Sequence, residues 1–122
     1  MIKVSAPGKI HISGEHSVVY GKPALLCTIN KRVYVTIQEH TSSEHGQLGK
    51  QTILLRNTEF SMQSDKNVTH LPNLAIKEAY AFLNKTPRTN IALQIHSELP
   101  IGCGMGSSAA VSAAIVGAIF CL

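Results

Sequence analysis

PIGCGMGSSAA, residues Pro100–Ala110, is the stretch whose reading decides the fold. Gly102, Gly104 and Gly106 alternate with single residues and run into two serines and an apolar segment. Backbone without Cβ atoms can approach an anion closely and adopt positive φ. A helix starting near Ser107 would aim its free N–H groups and the positive end of its dipole at the same point. Ser107 and Ser108 add hydroxyls suited to a phosphate oxygen or a Mg²⁺ ion. The run lacks the GK[ST] ending of a Walker A loop, and its third glycine comes one position early for GxGxxG. A glycine-rich turn with a serine N-cap is the plainer interpretation of the same letters. The Ser-Ser-Ala-Ala continuation between strand and helix favours a phosphate-cradling loop, and so a nucleotide-binding chain.

Outward from the loop, Asn90–Glu98 alternates Ile91, Leu93 and Ile95 with polar neighbours, as a half-buried strand does. Before it, Leu71, Leu74, Ala75, Ala79, Phe82 and Leu83 are spaced as one helix face, with Pro72 expected in the first turn and Pro87 expected to end the helix. The first half predicts strands at Ile2–Ser5 and Lys9–Ser13 joined by a turn at Ala6-Pro7-Gly8, then at Ala24–Asn30 and Arg32–Glu39. Thr41–Lys50 reads as a hairpin loop, Gln51–Arg56 as a further extended run and Asn57–Asn67 as a polar stretch. After the loop, Ala109–Leu122 is apolar except for Ser112 and too short to span a membrane, so a buried helix is expected. Ala109, Ala110, Ala113 and Ala114 would let it pack closely on a sheet. This order gives an α+β domain, a mixed sheet with helices packed on one face.

Composition narrows the function classes. The 122 residues suit one domain, and 44% hydrophobic residues supply a core. The net charge of +4 is scattered, with no basic block of the kind that marks a nucleic-acid arm. Cys27, Cys103 and Cys121 are odd in number and far apart, which argues against a disulfide framework or a zinc site. Reduced thiols and the lack of an apolar N-terminal h-region point to the cytoplasm, with no membrane and no nucleic-acid partner.

The second constellation is Ala6–Leu25, APGKIHISGEHSVVYGKPAL. Lys9 follows a Pro-Gly pair and can reach across a cleft towards phosphate. Gly14-Glu15-His16 puts a carboxylate and an imidazole into one turn, a pair able to hydrogen-bond a polyhydroxy or carboxylate substrate. Taken together with LPIGCGMGSSAAVSAA, this run resembles the first two signature motifs of the GHMP kinases, and within them the mevalonate kinase branch. Galactokinases carry an arginine after Pro-Gly and GEHTDY. Phosphomevalonate kinases usually lack the Glu-His pair. The resemblance covers both ends of the chain and leaves about 39–89 undiagnosed.

The resemblance implies the GHMP N-terminal domain over 1–122, with its fold like ribosomal protein S5 domain 2 and the C-terminal GHMP domain absent. It implies transfer of the ATP γ-phosphoryl group to the primary hydroxyl of mevalonate, a step in isoprenoid precursor synthesis, with ATP and Mg²⁺. Lys9 would be catalytic, and Glu15 and His16 would bind the acceptor. Pro100, Ile101, Gly102, Cys103, Gly104, Met105, Gly106, Ser107 and Ser108 would cradle the ATP phosphates, Ser108 also serving as metal ligand. The full-length parent would be a candidate homodimer. In this family the catalytic aspartate follows the second motif, yet Asp65 is the sole aspartate here. The expectation is therefore a fragment inactive alone. Another GHMP small-molecule kinase (galactokinase-like or phosphomevalonate kinase-like), a non-catalytic nucleotide-binding module, and an RNA-binding S5-like protein are the competing readings.

Overall fold

The computed structural model describes residues 1–39, 52–55, 58–61, 66–88, 91–100 and 103–122, with the backbone alone at 52–55, 58–61 and 66–69. The expected hairpin loop at Thr41–Lys50 lies outside the described residues. Five strands, β1 (Ile2–Ser13), β2 (Leu25–Glu39), β3 (Thr52–Leu55), β4 (Thr58–Ser61) and β5 (Ile91–Ser97), form one sheet in the order β1-β2-β5-β3-β4. The β3–β5 pair is parallel and the other pairs are antiparallel, so the sheet is mixed. Among the described residues two α-helices, α1 (Lys66–Phe82) and α2 (Ser107–Phe120), join the sheet in an α+β arrangement.

The alternation in β2 and β5 fixes which face is inside. Val33, Val35 and Ile37 are fully buried, and the register sets Val35 opposite Ile95 and Ile37 opposite Leu93. Opposed residues of an antiparallel pair share a face, so these side chains form one apolar layer. They belong to a single cluster with Ala75, Ile76, Ala79 and Tyr80 of α1 and with Ala110, Ala114, Ile115, Ala118 and Ile119 of α2. Both helices therefore cover the same side of the sheet. The other side carries Lys3, Tyr34, Thr36, Gln94 and His96, which line a shallow polar depression, with the Lys3 ammonium 5.2 Å from the Tyr34 ring centre.

Several local expectations are corrected. Ala6-Pro7-Gly8 is no turn: β1 runs unbroken through it, with a register irregularity between Pro7 and Lys9. Proline has no N–H to give a ladder, and β1 lies at the sheet edge, where such a defect is tolerated. The two segments read at Ala24–Asn30 and Arg32–Glu39 are one strand. The polar stretch Asn57–Asn67 contains β4 and the start of α1. Pro72 therefore sits inside α1 instead of its first turn.

The inner face of α1 is also turned from the expected one. Ala75 and Ala79 are buried as read, but Ile76 and Tyr80 join them, whereas Leu74 and Phe82 are exposed. Phe82 instead stacks on Phe120 at the ends of the two helices, ring centres 5.8 Å apart. Pro87 does not stop the helix. Asn84 takes the left-handed conformation, its N–H reaches the Ala81 carbonyl, and the Lys85 N–H reaches that of Tyr80. This Schellman arrangement satisfies the last carbonyls three residues before Pro87.

α2 begins where expected, but its N-cap is Gly106 and no side chain caps it. Ala110 and Ala114 face the sheet, while Ala109 and Ala113 are exposed. Farther along α2 the backbone also comes close to β1: a Cβ on Gly117 would lie 3.2 Å from Cγ1 of Val4. Among the described residues no helix is long and apolar enough to cross a membrane.

Candidate functional site

The two motifs, nearly a hundred residues apart in sequence, meet at the start of α2. Strand β1 delivers Lys9, whose backbone N–H donates to the Met105 carbonyl at 3.0 Å. The lysine stem then lies across Gly106: a Cβ built there would sit 2.9 Å from Lys9 Cγ and 3.1 Å from Cε. The ammonium lies against the His11 ring, 2.8 Å from Nδ1 and 3.5 Å from Nε2. Glycine at 106 is needed twice, for a φ of 67° and for room under the lysine.

The descent from β5 into the loop is clamped. Ser97 Oγ accepts the Leu99 N–H at 3.1 Å and donates to the Leu99 carbonyl at 3.3 Å. Leu99 is buried, and a Cβ on Gly8 would fall 2.4 Å from its Cδ2, so the Pro-Gly pair of the first motif makes room for this side chain. One strand over, the Arg32 N–H donates to Glu98 Oε2 at 2.9 Å, and the Glu98 N–H donates to the Arg32 carbonyl at 3.0 Å. The Arg32 guanidinium holds Ser5 Oγ at 3.0 Å, tying β1 into the same frame.

An anion would find the following groups. The first intrahelical bond of α2 runs from the Ala110 N–H to the Gly106 carbonyl, so the N–H groups of Ser107, Ser108 and Ala109 have no helical acceptor. The first turn contains no acidic residue, leaving the positive end of the dipole uncompensated. Among the described residues no hydrogen bond engages the hydroxyl of the half-buried Ser107 or the exposed Ser108. Among the described residues nothing lies within 4 Å of the position a Cβ would take on Gly104, whose φ is 65°. Open space, bare backbone, two hydroxyls and one ammonium fit a polyphosphate. Among the described residues no group of three or more His, Cys, Asp or Glu side chains could hold a metal ion alone.

Of the other expected site residues, Pro100 and Cys103 are exposed and Met105 is half-buried, while Ile101 and Gly102 lie outside the described residues. Glu15 and His16 form a turn just past the end of β1, with Oε1 and Nε2 4.0 Å apart. The Gly14 carbonyl holds the following single 3-10 turn, Ser17–Tyr20, by accepting from the Val18 N–H at 3.0 Å and Ser17 Oγ at 3.2 Å. Both acidic and imidazole side chains are open to solvent, and among the described residues neither bonds to Lys9 or to the loop. The sequence reading missed His11, Leu99 and the Arg32–Glu98 tie. His11 had a usable signal, since it stands two residues from Lys9 in an extended segment.

A family pattern described as the GHMP kinases N-terminal domain matches residues 73–122. The mevalonate kinase of Pyrococcus abyssi is 35% identical over 134 residues, an alignment covering 98% of this chain and 38% of that protein. The crystal structure of the Methanococcus jannaschii mevalonate kinase superposes with a TM-score of 0.76 at 27% identity, over 97% of this chain and 39% of that one. A D-glycero-D-manno-heptose 1-phosphate kinase from Bacteriodes thetaiotaomicron superposes as well, TM-score 0.77 over 98% of this chain and 41% of that one. At 21% identity that last likeness concerns the fold alone. The chain thus spans well under half the length of the proteins it matches.

Proposed function

Because this chain is a GHMP kinase N-terminal domain, we propose that it is the ATP-phosphate half of a kinase that phosphorylates the primary hydroxyl of mevalonate. The observation that carries the reading is the Lys9 stem lying across Gly106 at the N-terminus of α2. That arrangement puts a cation beside bare N–H groups where a phosphate chain can bind.

In this reading the loop from Pro100 to Ser108 holds the ATP phosphates. Mg²⁺, with the Ser108 hydroxyl among its ligands, supplies neutralisation of phosphate charge. Lys9 contacts the transferring phosphoryl group and favours ionisation of the acceptor hydroxyl, while Glu15 and His16 hold the acceptor. The new bond joins the acceptor oxygen to the γ-phosphorus. The bond to the β,γ-bridging oxygen breaks, ADP leaves, and the hydroxyl proton is released. Positioning and charge stabilisation are the protein's main contributions to such a transfer. The choice of mevalonate rests on the GEHSVVYG run and on the Pyrococcus relative.

The test is a chimera in which residues 1–122 replace the matching segment of the Pyrococcus abyssi enzyme. It should phosphorylate mevalonate in preference to galactose or phosphomevalonate. Its Lys9→Met form should lose about a hundredfold or more in kcat. Preferred phosphorylation of a sugar would overturn the acceptor assignment.

A further inference from the structure

Arg32 stands where two ladders stop together. Towards β1 it pairs with Pro7, the last regular pair before the irregularity that leads to Lys9. Towards β5 it comes one residue beyond the final pair, Val33 with Ser97, and so faces Glu98. From this point β1 has two residues to run to Lys9, and the chain leaving β5 has two to run to Pro100. Any shift in how the strands are joined here is carried into both halves of the site. We infer that Glu98 is a positioning residue for the glycine loop, its carboxylate closing the ladder in place of its own carbonyl. This rests on the reading of that loop as the phosphate site.

In a hydrogen-bonded antiparallel pair the two residues exchange both N–H···O bonds. Arg32 and Glu98 make only half of that exchange with backbone atoms. The Glu98 N–H donates to the Arg32 carbonyl at 3.0 Å, as a ladder requires. The Arg32 N–H goes instead to Glu98 Oε2, at 2.9 Å. The Glu98 carbonyl is thereby released from the ladder, and the pairing ends without leaving the Arg32 donor empty. The Ser97 hydroxyl then fixes the next step by accepting the Leu99 N–H at 3.1 Å. Strand β5 therefore stops at a set residue, and the chain departs into the loop from there.

Arg32 ties the same point to β1 through its side chain. Its Nε donates to Ser5 Oγ at 3.0 Å and its Nη2 to the Ser5 carbonyl at 3.3 Å. The guanidinium is thus engaged by β1, while the backbone of the same residue is engaged by Glu98. Among the described residues the ion pairs are His16–Glu15 and Arg88–Glu39, so the Glu98 carboxylate is not drawn off the N–H by the guanidinium. A carboxylate is also the stronger acceptor for a backbone N–H, since a charged partner shortens and strengthens such a bond.

A long-range HNCO spectrum of the ¹³C,¹⁵N-labelled chain reads the acceptor directly, through the coupling across the hydrogen bond. The Arg32 N–H should couple to Cδ of Glu98. Coupling to the Glu98 backbone carbonyl carbon would overturn the inference without any variant. Glu98→Ala and Glu98→Gln test the consequence. In the ligand-free chain Glu98→Ala should displace the amide resonances of Gly104, Gly106 and Ser107. By calorimetry it should weaken Mg-ATP binding about fivefold, the scale of one lost hydrogen bond to a charged group. Glu98→Gln, whose amide oxygen can accept the same bond, should keep the loop resonances and most of the affinity. Wild-type loop resonances in Glu98→Ala, or equal losses in the two variants, would overturn the positioning role. Displaced loop resonances in Glu98→Ala with Mg-ATP affinity unchanged would instead overturn the reading of the loop as the phosphate site.

Discussion

Lys9 and Gly106 touch: the lysine stem crosses the glycine so closely that a methyl group there would lie 2.9 Å from Cγ. Gly106→Ala should therefore do two things. It should lose about 1–2 kcal/mol from the left-handed backbone alone, and it should push Lys9 away from the loop and weaken Mg-ATP binding. Gly104→Ala is the control, since it shares the positive φ but faces open space. Thermal melts should show comparable destabilisation, with displacement of the Lys9 resonances confined to Gly106→Ala.

Leu99→Ala should destabilise the chain by about 2–5 kcal/mol, the usual range for truncating a buried leucine. Leu99 is 2% exposed and fills the space that Gly8 leaves open. The cavity would lie between the two motifs, so the loop should loosen as well. Urea unfolding reads the first effect and amide exchange at 103–108 reads the second.

Ser108→Ala should be nearly silent for stability, within about 0.5 kcal/mol, because Gly106 and not a serine caps α2. Its effect should fall on nucleotide binding in the presence of Mg²⁺, with little change when the metal is chelated. Equal weakening with and without metal would remove Ser108 from the metal's ligands.

How far the sequence could be read follows from which interactions are local. The alternation of Ile91, Leu93 and Ile95 announced β5 because period two is a backbone property. The glycines before Ser107 announced the start of α2 for a similar reason. Pro7 was misread as a turn because only the pairing partner, β2, reveals that the chain stays extended through it. Leu74 and Phe82 share the apolar helix face read from the spacing because apolarity alone cannot tell a core face from a helix-end contact such as Phe82 on Phe120. Lys9 and the loop were legible as separate motifs. Their contact across Gly106 was not, since it depends on β1 and α2 packing against each other, which no local pattern encodes.

The chain by itself should not turn over mevalonate. It covers 38% of the Pyrococcus relative, and its one aspartate, Asp65, has no motif around it. A coupled assay of the purified chain with ATP, Mg²⁺ and mevalonate should stay at the no-enzyme rate. Robust formation of 5-phosphomevalonate would show that the catalytic groups lie within these residues.

The most direct test of the central claim, that Lys9 and the glycine loop form one phosphate site, is an NMR titration of the ¹⁵N-labelled chain with Mg-ATP, using adenosine as the control. The account predicts saturable shifts concentrated at Gly104, Gly106, Ser107, Ser108 and Lys9, seen with ATP and not with adenosine. No saturable change at these residues, or the same response to adenosine, would contradict it.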